Sequence, residues 1–365
     1  MRLLVDCVPF DCGRTGTASY VRGLVAELRR EGHELTLLCE PDADFPEAAG
    51  LPVLRTPAWT LRGGAASFAW HLCGVPRQVR RRRKDFDGMV LAMANRRVLA
   101  RYPVATVAVV HDLADRRVAG KYSPSRMFNL RHVLPHFAKK AHRLVAVSAA
   151  TAEDMRRFWG CGAGDVTVLH EGFPAPPDDF SPAPDAKNLF YISRIEHPGK
   201  NHVRLVEAYG KLPRALAEAH PLVLAGANWG GGEIVQAAIA SCPNGDCIRH
   251  AGWVGSEELE RLWTQTAAYV FPSLAEGFGI SLVEAMARGI PCACSRGGAL
   301  EELAAGAAEL FEPTDVEDIA RALQRLLCAP EAERAARGRK GIARAREFSW
   351  EAHARGIVRL LEGIR

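Results

Sequence analysis

The sequence predicts an α/β protein with two doubly wound, parallel-sheet domains. Its 365 residues exceed what one hydrophobic core usually organises, so two domains are expected. Short apolar β-type runs alternate with helical stretches, which is typical of a parallel sheet covered by helices. Residues 172–187 interrupt this alternation with five prolines, a density that excludes regular structure. The alternation then restarts, which indicates a second domain of the same kind.

The first domain begins with a strand, a glycine-containing loop, a helix and a second strand. The run "RLLVDCV" is β-type, and the apolar spacing in "TASYVRGLVAELRREG" predicts a helix from near Thr17 to Gly32. The run "LTLLC" then completes a βαβ unit. Further strands are predicted at 88–92, 106–112 and 143–148.

The second domain repeats this pattern. Its strands are predicted at 188–193, 220–226, 246–254, 267–273 and 289–295. The last segment is an amphipathic helix that begins at Ser349 and is long enough to reach back to the first domain. Ligands of such proteins bind outside the carboxyl ends of the strands, and two domains would form a cleft there. The predicted domains are 1–172, a linker at 173–187, 188–348 and a C-terminal helix at 349–365.

The composition is that of an ordinary globular protein without a membrane span or a metal site. There is no apolar run of about 18 residues and no signal-peptide core, so a cytoplasmic location is expected. Ten cysteines are present without a C-x-x-C pair, which favours reduced thiols and no metal. Asp42 and Asp44 form a D-x-D motif, but they follow a proline in a polar loop, so we expect no metal role.

Six basic residues lie between positions 77 and 84. A solvated face is the ordinary interpretation of such a run. Because Trp59, Phe68 and Trp70 lie just upstream, it could instead contact anionic lipid or a phosphorylated substrate. The run has no interleaved aromatic residues and no recognition helix, so a nucleic-acid partner is not expected.

The stretch "EGFGISLVE" carries two glutamates around a turn that opens a helix. Gly277 and Gly279 allow close backbone approach, and the first N–H groups of the helix form an anion cradle at its positive end. Glu276 precedes the cradle and Glu284 lies one turn beyond Ile280, so both can face one ligand, such as a ribose or a sugar. Spacing alone equally allows a solvated Glu284 and a Glu276 that complements the helix dipole. The helix residues Ile280, Leu282, Val283 and Met286 are predicted to face inward.

Two cations follow the first strand of the second domain. Arg194 ends that strand, and Lys200 precedes a helix that starts near Asn201. An arginine fork, a lysine charge and a helix N-terminus at one sheet edge suit a diphosphate. Two exposed loop cations remain the simpler alternative.

These segments resemble the family-four retaining glycosyltransferases of GT-B architecture, in which two Rossmann-like domains face each other across a cleft. The resemblance is strongest in "SRIEHPGKNHVRLVEAY", "HAGWVGSEELERLW" and "AAYVFPSLAEGFGISLVEAMARGIPCACSRGGALEEL". "GRTGTASYVRGLVAELRREGHELTLL" and "VAVVHDL" resemble the N-terminal half more weakly. The resemblance therefore covers nearly the whole chain.

The resemblance implies roles for individual residues. It implies that Arg194 and Lys200 hold the diphosphate of a nucleoside-diphosphate sugar, and that Glu284 accepts the ribose hydroxyls. The transferred sugar would be held by Glu276 and by the backbone of Gly277, Phe278 and Gly279, and Ile280 would also be a donor-binding residue. It further implies a base site around Trp253 and Val254, His111 beside the sugar, and Gly16 with Thr17 in the loop that faces the phosphate and the acceptor. The acceptor would be a glycan, a lipid-linked glycan or a small molecule.

The sequence departs from the family pattern in three places. Ser193 replaces a glycine before the arginine, "HEGF" at 170–173 stands in place of an Asn-Gly turn, and "HPG" lengthens the loop before Lys200. None of these removes a charged residue of the donor site. A nicotinamide oxidoreductase is disfavoured because "DCGRTGT" lacks the G-x-G-x-x-G spacing. A non-catalytic subunit of the same fold is the remaining rival, although a scaffold has no physical need of the four charged residues.

The expected chemistry is a sugar transfer with retention of configuration and without a metal cofactor. Arg194, Lys200 and the helix N-termini would stabilise the charge that develops on the leaving phosphate. The family resemblance implies that the acceptor hydroxyl attacks from the leaving-group face and gives its proton to that phosphate. A double displacement would instead need a carboxylate nucleophile, for which Glu276 is the candidate.

Overall fold

The computed structural model describes residues 1–10, 15–62, 64–94, 101–118 and 124–364. The chain divides into two compact units. The N-terminal unit comprises the described residues of 1–116 and 122–173, together with the C-terminal residues from 348 onward. The C-terminal unit comprises 174–347 and a short piece from residue 117.

The N-terminal unit contains a seven-stranded sheet in which every neighbouring pair of strands is parallel. The strand order is β3-β2-β1-β4-β5-β6-β7. The strands are β1 (Arg2–Asp6), β2 (Glu34–Cys39), β3 (Val53–Arg55), β4 (Gly88–Leu91), β5 (Thr106–Val110), β6 (Arg143–Ala146) and β7 (Val166–Val168). The central strands β4 and β5 are buried along their whole length, which explains their continuous apolar sequences.

Helices cover this sheet. They are α1 (Gly16–Arg30), α2 (Gly64–Ala69), α3 (Val75–Arg81), α4 (Ala114–Arg117), α5 (Pro124–Phe128), α6 (Leu134–Ala138), α7 (Ala149–Trp159) and the C-terminal α16 (Trp350–Glu362). Two π-helical turns, Trp70–Gly74 and Asn129–Val133, join α2 to α3 and α5 to α6. Short 3₁₀ turns occupy Pro46–Ala48 and Ala58–Arg62.

The first and last helices of the N-terminal unit pack together. The Thr15 hydroxyl caps α1 by accepting a hydrogen bond from the Ala18 N–H, and Gly32, at a φ of 80°, follows the end of the helix. Ser349 caps α16 by accepting from the Ala352 N–H. The Tyr20 hydroxyl of α1 lies 2.7 Å from Nε2 of His353 on α16, so a buried polar contact fixes how the two helices meet.

The C-terminal unit contains a six-stranded sheet, also parallel throughout, in the order β10-β9-β8-β11-β12-β13. Its strands are β8 (Asn188–Ile192), β9 (Leu222–Ala225), β10 (Ile248–Gly252), β11 (Thr266–Phe271), β12 (Cys292–Ser295) and β13 (Ala308–Phe311). Its helices are α8 (His202–Gly210), α9 (Arg214–Ala219), α10 (Gly232–Ser241), α11 (Ser256–Thr264), α12 (Ile280–Ala287), α13 (Gly298–Ala304), α14 (Val316–Leu327) and α15 (Glu331–Ala345), with a 3₁₀ turn at Gly245–Cys247.

The core of the C-terminal unit is rich in large aromatic side chains. Phe190 packs edge-on against Trp263, and Tyr191, Tyr209 and Tyr269 are fully buried. Residues 174–187 contain no helix or strand, and the Ala183 N–H donates to the Thr264 carbonyl at 2.8 Å. This proline-rich segment is therefore attached to the C-terminal unit rather than extended in solvent.

Two Rossmann-like units with purely parallel sheets confirm the predicted α/β fold class. Of the helices that the structure describes, none is both long and apolar enough to cross a membrane.

Candidate functional site

Two loops at the carboxyl ends of neighbouring strands carry most of the predicted site residues of the C-terminal unit. Strands β8 and β11 pair directly, with Phe190 opposite Tyr269. The loops that follow them are joined by the Leu274 N–H, which donates to the Gly199 carbonyl at 2.9 Å, and by Asn201, whose side-chain amide donates to the Pro272 carbonyl at 3.0 Å. The first contact joins residues 75 positions apart in sequence and the second joins residues 71 apart, so distant segments are fixed against each other.

Lys200 and Glu276 form an ion pair between these loops. Lys200 Nζ donates to Glu276 Oε1 at 2.6 Å, and both side chains are largely shielded from solvent. A shielded ion pair of this length is a strong interaction because water screens it less than at the surface. The sequence predicts the two residues as separate ligands, and the structure brings them into direct contact.

The turn after Glu276 has the geometry of an anion cradle. Gly279 adopts a φ of 125°, and a Cβ at this position would lie 2.7 Å from Leu300 Cδ2, so only glycine fits. Helix α12 begins at Ile280, and the N–H groups of Ile280 and Ser281 have no acceptor within the helix. Gly289, at a φ of 68°, follows the helix end.

Glu284 lies on α12 one turn beyond Ile280 and is half-buried. Burial raises the pKa of its carboxyl to about 7; Arg288 opposes the rise, and the charge of Glu260 adds to it. The prediction that Ile280 faces inward is wrong: Leu282, Val283 and Met286 are buried, whereas Ile280 is half-buried like Glu284. The 3.6-residue repeat explains this difference, since residues four apart share one helix face and Ile280 therefore lies beside Glu284.

Arg194 is held on two sides. Its guanidinium makes an ion pair with Glu196 at 2.6 Å, and its central carbon lies 5.4 Å from the centre of the Trp229 ring. Sequence reasoning missed both partners. An acid two residues after a predicted phosphate ligand and a tryptophan in a glycine-rich loop after a buried strand are the signals that could have identified them.

The predicted base site follows β10. Trp253 is exposed and Val254 is half-buried. The loop is joined to the one after β9, because the Gly226 N–H donates to the Gly252 carbonyl at 2.7 Å.

His111 follows β5 of the N-terminal unit and is buried there with both ring nitrogens bonded. Nε2 lies 2.7 Å from the Ala92 carbonyl, which can only accept, and Nδ1 lies 2.7 Å from Glu171 Oε1. Burial opposes the charged ring, but Glu171 outweighs it and raises the pKa of His111. The "HEGF" departure thus supplies a carboxylate that sequence reasoning did not assign. Contact between His111 and a sugar stays a prediction.

Gly16 and Thr17 lie in the first turn of α1. Gly16 is exposed, and the Thr17 hydroxyl lies 2.6 Å from the Thr15 hydroxyl. Helix α1 starts one residue earlier than predicted, so these residues present the positive end of a helix rather than a loop.

Within the described parts of the chain, no group of three or more histidine, cysteine, aspartate or glutamate side chains could hold a metal ion. Asp42 and Asp44 are exposed. The charged groups that the two loops and α12 carry here are the Lys200–Glu276 and Arg194–Glu196 ion pairs and Glu284.

Two family models match consecutive parts of the chain. Glycosyltransferase Family 4 matches residues 14–175, and Glycosyl transferases group 1 matches residues 177–344. The O-antigen chain mannosyltransferase B of Escherichia coli is 34% identical over 257 residues, which is 67% of this chain and 67% of that protein. The serotype-specific mannosyltransferase WbdA of Escherichia coli is 30% identical over 71% of this chain, but the match spans only 34% of WbdA.

Solved structures show the same fold. Sucrose-phosphate synthase from Thermosynechococcus elongatus has a TM-score of 0.79 at 20% identity and matches 100% of this chain and 99% of its own. WaaG, a glycosyltransferase involved in lipopolysaccharide biosynthesis, has a TM-score of 0.74 at 16% identity over 100% of both chains. HepE from Anabaena, solved with UDP and glucose, has a TM-score of 0.72 at 17% identity and matches 99% of both chains. With the predicted fold and family confirmed, the chain belongs to the family-four glycosyltransferases and is a nucleotide-sugar-dependent glycosyltransferase of GT-B fold.

Proposed function

We propose that the chain transfers a mannosyl group, with retention of configuration, from a nucleoside-diphosphate mannose to a hydroxyl of a glycan or lipid-linked acceptor. The printed functions of its relatives support the sugar and the acceptor class, since both Escherichia coli relatives are mannosyltransferases and one acts on an O-antigen chain. The observation that carries the site is the Lys200–Glu276 ion pair at the start of α12.

The leaving nucleoside diphosphate needs positive charge around it. In this proposal Lys200, Arg194 and the first N–H groups of α12 supply that charge. Lys200 is held by Glu276 at 2.6 Å and so needs little rearrangement before the reaction. As the bond between the sugar and the phosphate breaks, negative charge grows on the phosphate and the attraction strengthens. Charge that is already in place lowers the barrier without the cost of reorienting water.

Glu284 and Glu276 bind hydroxyl groups of the donor in this proposal. A carboxylate accepts two hydrogen bonds at once, which suits the two hydroxyls of a ribose. Glu284 is half-buried on the face of α12 that also carries Ile280. Glu276 keeps one oxygen for a sugar hydroxyl while the other accepts from Lys200.

The transfer proceeds on one face of the sugar. The acceptor oxygen forms a bond to the anomeric carbon, the bond from that carbon to the phosphate oxygen breaks, and the acceptor proton passes to the departing phosphate. No protein base is needed for this step. Glu276 is a poor nucleophile because its carboxylate is paired with an ammonium group at 2.6 Å. A trapped glycosyl-Glu276 adduct would contradict this mechanism.

We also propose that no metal ion takes part, because Arg194 and Lys200 can neutralise the diphosphate. Activity that survives dialysis against EDTA is the expected result. Loss of activity that Mg²⁺ or Mn²⁺ restores would contradict the proposal.

The function is tested by following sugar transfer from nucleoside-diphosphate mannose and, in parallel, from the glucose conjugates. Lys200→Met should lower kcat/KM at least a hundredfold, because it removes a charge that acts on the leaving group. Lys211→Met is the matched control, since Lys211 lies at the other end of α8 and pairs with the exposed Glu317. Equal activity of the two variants would refute the proposal. Transfer only from glucose donors would refute its choice of sugar.

A basic and aromatic face of the N-terminal unit supports a membrane-associated acceptor. Arg77, Arg80 and Arg81 are exposed on α3, and Leu72 in the preceding turn is exposed as well. Trp59, also exposed, packs edge-on against Trp70. Cations beside exposed apolar groups suit an anionic lipid surface. We expect the native protein to sediment with anionic liposomes and a variant neutralised at 80–83 to sediment less; equal sedimentation would exclude this contact.

A further inference from the structure

A buried arginine follows the last residue of α12. Only 2% of the Arg288 side chain is exposed, and its Nη2 makes an ion pair with Glu260 Oε1 of α11 at 2.7 Å. Its Nη1 donates to the Glu284 carbonyl at 3.2 Å. Burying a guanidinium is costly, and replacing a buried ion pair by apolar side chains is often neutral or stabilising. Fold stability alone therefore does not account for a cation at this position.

Two aromatic rings also contact the guanidinium of Arg288. Its central carbon lies 5.0 Å from the centre of the Trp263 ring and 5.4 Å from the centre of the Phe180 ring. Trp263 is fully buried on α11, and Phe180 belongs to the proline-rich segment 174–187. Aromatic rings attract a cation, and the attraction is stronger where water is excluded. Contacts from α11, α12 and the proline-rich segment therefore hold this charge in one place.

Arg288 and Glu284 lie on the same face of α12. They are four residues apart, the spacing at which helical side chains are neighbours on the helix surface. Burial raises the pKa of Glu284, the positive charge of Arg288 opposes this rise, and the negative charge of Glu260 adds to it. Two charges of opposite sign, themselves paired at 2.7 Å, thus act on one carboxyl group.

Other elements packed against α12 add no further charge at the positions where they meet it. Tyr269 of β11 and Cys292 of β12 stay neutral, because burial raises the pKa of each side chain. Helices α13 and α15 contact α12 and the residues at its two ends through the uncharged residues Leu300, Gly338 and Gly341. The balance between Arg288 and Glu260 is therefore the main electrostatic influence that the fold places on Glu284.

We infer that Arg288 is a positioning residue of the donor site, and that its charge, partly offset by Glu260, favours the ionised form of Glu284 that binds donor hydroxyls. An ionised carboxylate accepts hydrogen bonds at both oxygens, whereas the protonated acid presents one of them as a donor. Arg288 needs no contact with the donor for this effect. The inference rests on the proposed function, because it assumes that Glu284 binds the donor.

Donor affinity should therefore rise with pH, and two substitutions should move this profile in opposite directions. In the wild type the rise should be centred near the pKa of Glu284, which burial raises to about 7. Arg288→Met removes the positive charge, so the midpoint should move to higher pH and the affinity at pH 7 should fall about fivefold. Glu260→Gln removes the negative charge, so the midpoint should move to lower pH.

The profile is measured by calorimetric titration of the full chain with GDP-mannose and with UDP-glucose between about pH 6 and pH 8.5. Both phosphates of a sugar nucleotide are esterified, so they lack the second ionisation near pH 6 that a terminal phosphate has. Arg288→Lys keeps the charge and should retain much of the wild-type profile, which separates the effect of charge from that of packing. Glu257→Gln is the matched control, since Glu257 is an exposed glutamate on the same helix as Glu260.

A second measurement needs no donor. Wild-type folding stability in urea should level off above about pH 7, whereas Arg288→Met should go on losing stability to a higher pH, because its Glu284 stays protonated longer in the folded state. Glu260→Gln changes a side chain that is 43% exposed, and it tests the same coupling if Arg288→Met does not fold.

The outcomes separate this inference from the proposed function. Opposite shifts of the two binding profiles would support the positioning role. Unchanged midpoints in both variants, even with weaker binding at every pH, would refute it and leave the transferase proposal standing. If the wild type binds neither sugar nucleotide, the proposed function fails and so does the link to donor binding, and the urea measurement then decides whether Arg288 acts on Glu284.

Discussion

Replacing Glu284 with glutamine should stabilise the ligand-free protein and at the same time weaken donor binding. Glu284 is the half-buried carboxyl on α12 whose pKa burial raises from 4.5 to about 7. Such a shift means that the fold holds the neutral form more readily than the charged one. Glutamine is a neutral residue of nearly the same shape, so Glu284→Gln removes the unfavourable charge without creating a cavity.

The magnitude follows from the two pKa values. The unfolded chain loses the Glu284 proton near pH 4.5, whereas the folded chain keeps it until about pH 7, so wild-type stability decreases between these values and is constant above them. At about 1.4 kcal/mol per pKa unit, the full cost is about 3 kcal/mol. The same linkage relation gives about 1 kcal/mol at pH 5, where little of the folded carboxyl is ionised. The stabilisation by Glu284→Gln should therefore grow from about 1 kcal/mol at pH 5 to about 3 kcal/mol at pH 8.

Urea denaturation of the full chain at pH 5 and pH 8 measures the difference in folding stability between Glu284→Gln and the wild type. Calorimetric titration with the preferred nucleoside diphosphate measures how much the substitution weakens donor binding. Because a charged acceptor of two hydroxyls is replaced by a neutral amide, donor affinity at pH 8 should decrease at least tenfold. Glu207→Gln is the matched control, since Glu207 is an exposed glutamate on α8 of the same unit. It should change neither quantity by more than about 0.5 kcal/mol.

A Glu284→Gln protein that is less stable than the wild type at both pH values would refute the reasoning. That result would mean that Glu284 is ionised in the folded state and that its charge stabilises the fold through Arg288. Increased stability without any loss of donor affinity would instead contradict the assignment of Glu284 as a ligand of the ribose.

Gly279→Ala should destabilise the protein by about 1–3 kcal/mol, because its φ of 125° is strained for any residue with a Cβ and that atom would lie 2.7 Å from Leu300; an unchanged Tm would contradict this. His353→Gln should reduce the loss of folding stability that the protein shows at acidic pH. Burial lowers the pKa of His353 to about 4, so wild-type stability decreases as the pH falls from 6.5 towards 4, and denaturation curves of the variant should lack part of this slope. Glu171→Gln should lower the pKa of His111, because it removes the carboxylate that raises this pKa; NMR titration of the ring measures the change, and an identical pKa would rule out that role for Glu171.

The periodicity of the sequence determined the fold class. Continuous apolar runs such as "TVAVV" can be accommodated only where both faces of a strand are covered, which requires a parallel sheet between helices. The glycines also predicted where the turn before α12 lies, because the constraint that a positive φ places on Gly279 is local.

Contacts between distant residues could not be derived in this way. The sequence named Lys200 and Glu276 as ligands, but their ion pair depends on β8 and β11 being neighbours in the sheet, which the order of elements along the chain does not reveal. The same is true of Trp229, which contacts Arg194 because β8 and β9 are neighbours. Ile280 was misassigned because apolar character alone does not decide which side of a short helix meets the core.

The sequence by itself therefore determined the two-unit α/β fold and the family, and it named the charged residues that are proposed for the donor site. Only the tertiary structure decided how those charges are paired, that Glu171 lies against His111 and raises its pKa, and that two tryptophans lie on adjacent loops after β9 and β10. The physical reason is the distance along the chain over which each effect acts. Backbone geometry and periodicity act over a few residues, whereas ion pairing, burial and the pKa shifts that follow from them depend on which distant segments the sheet brings together.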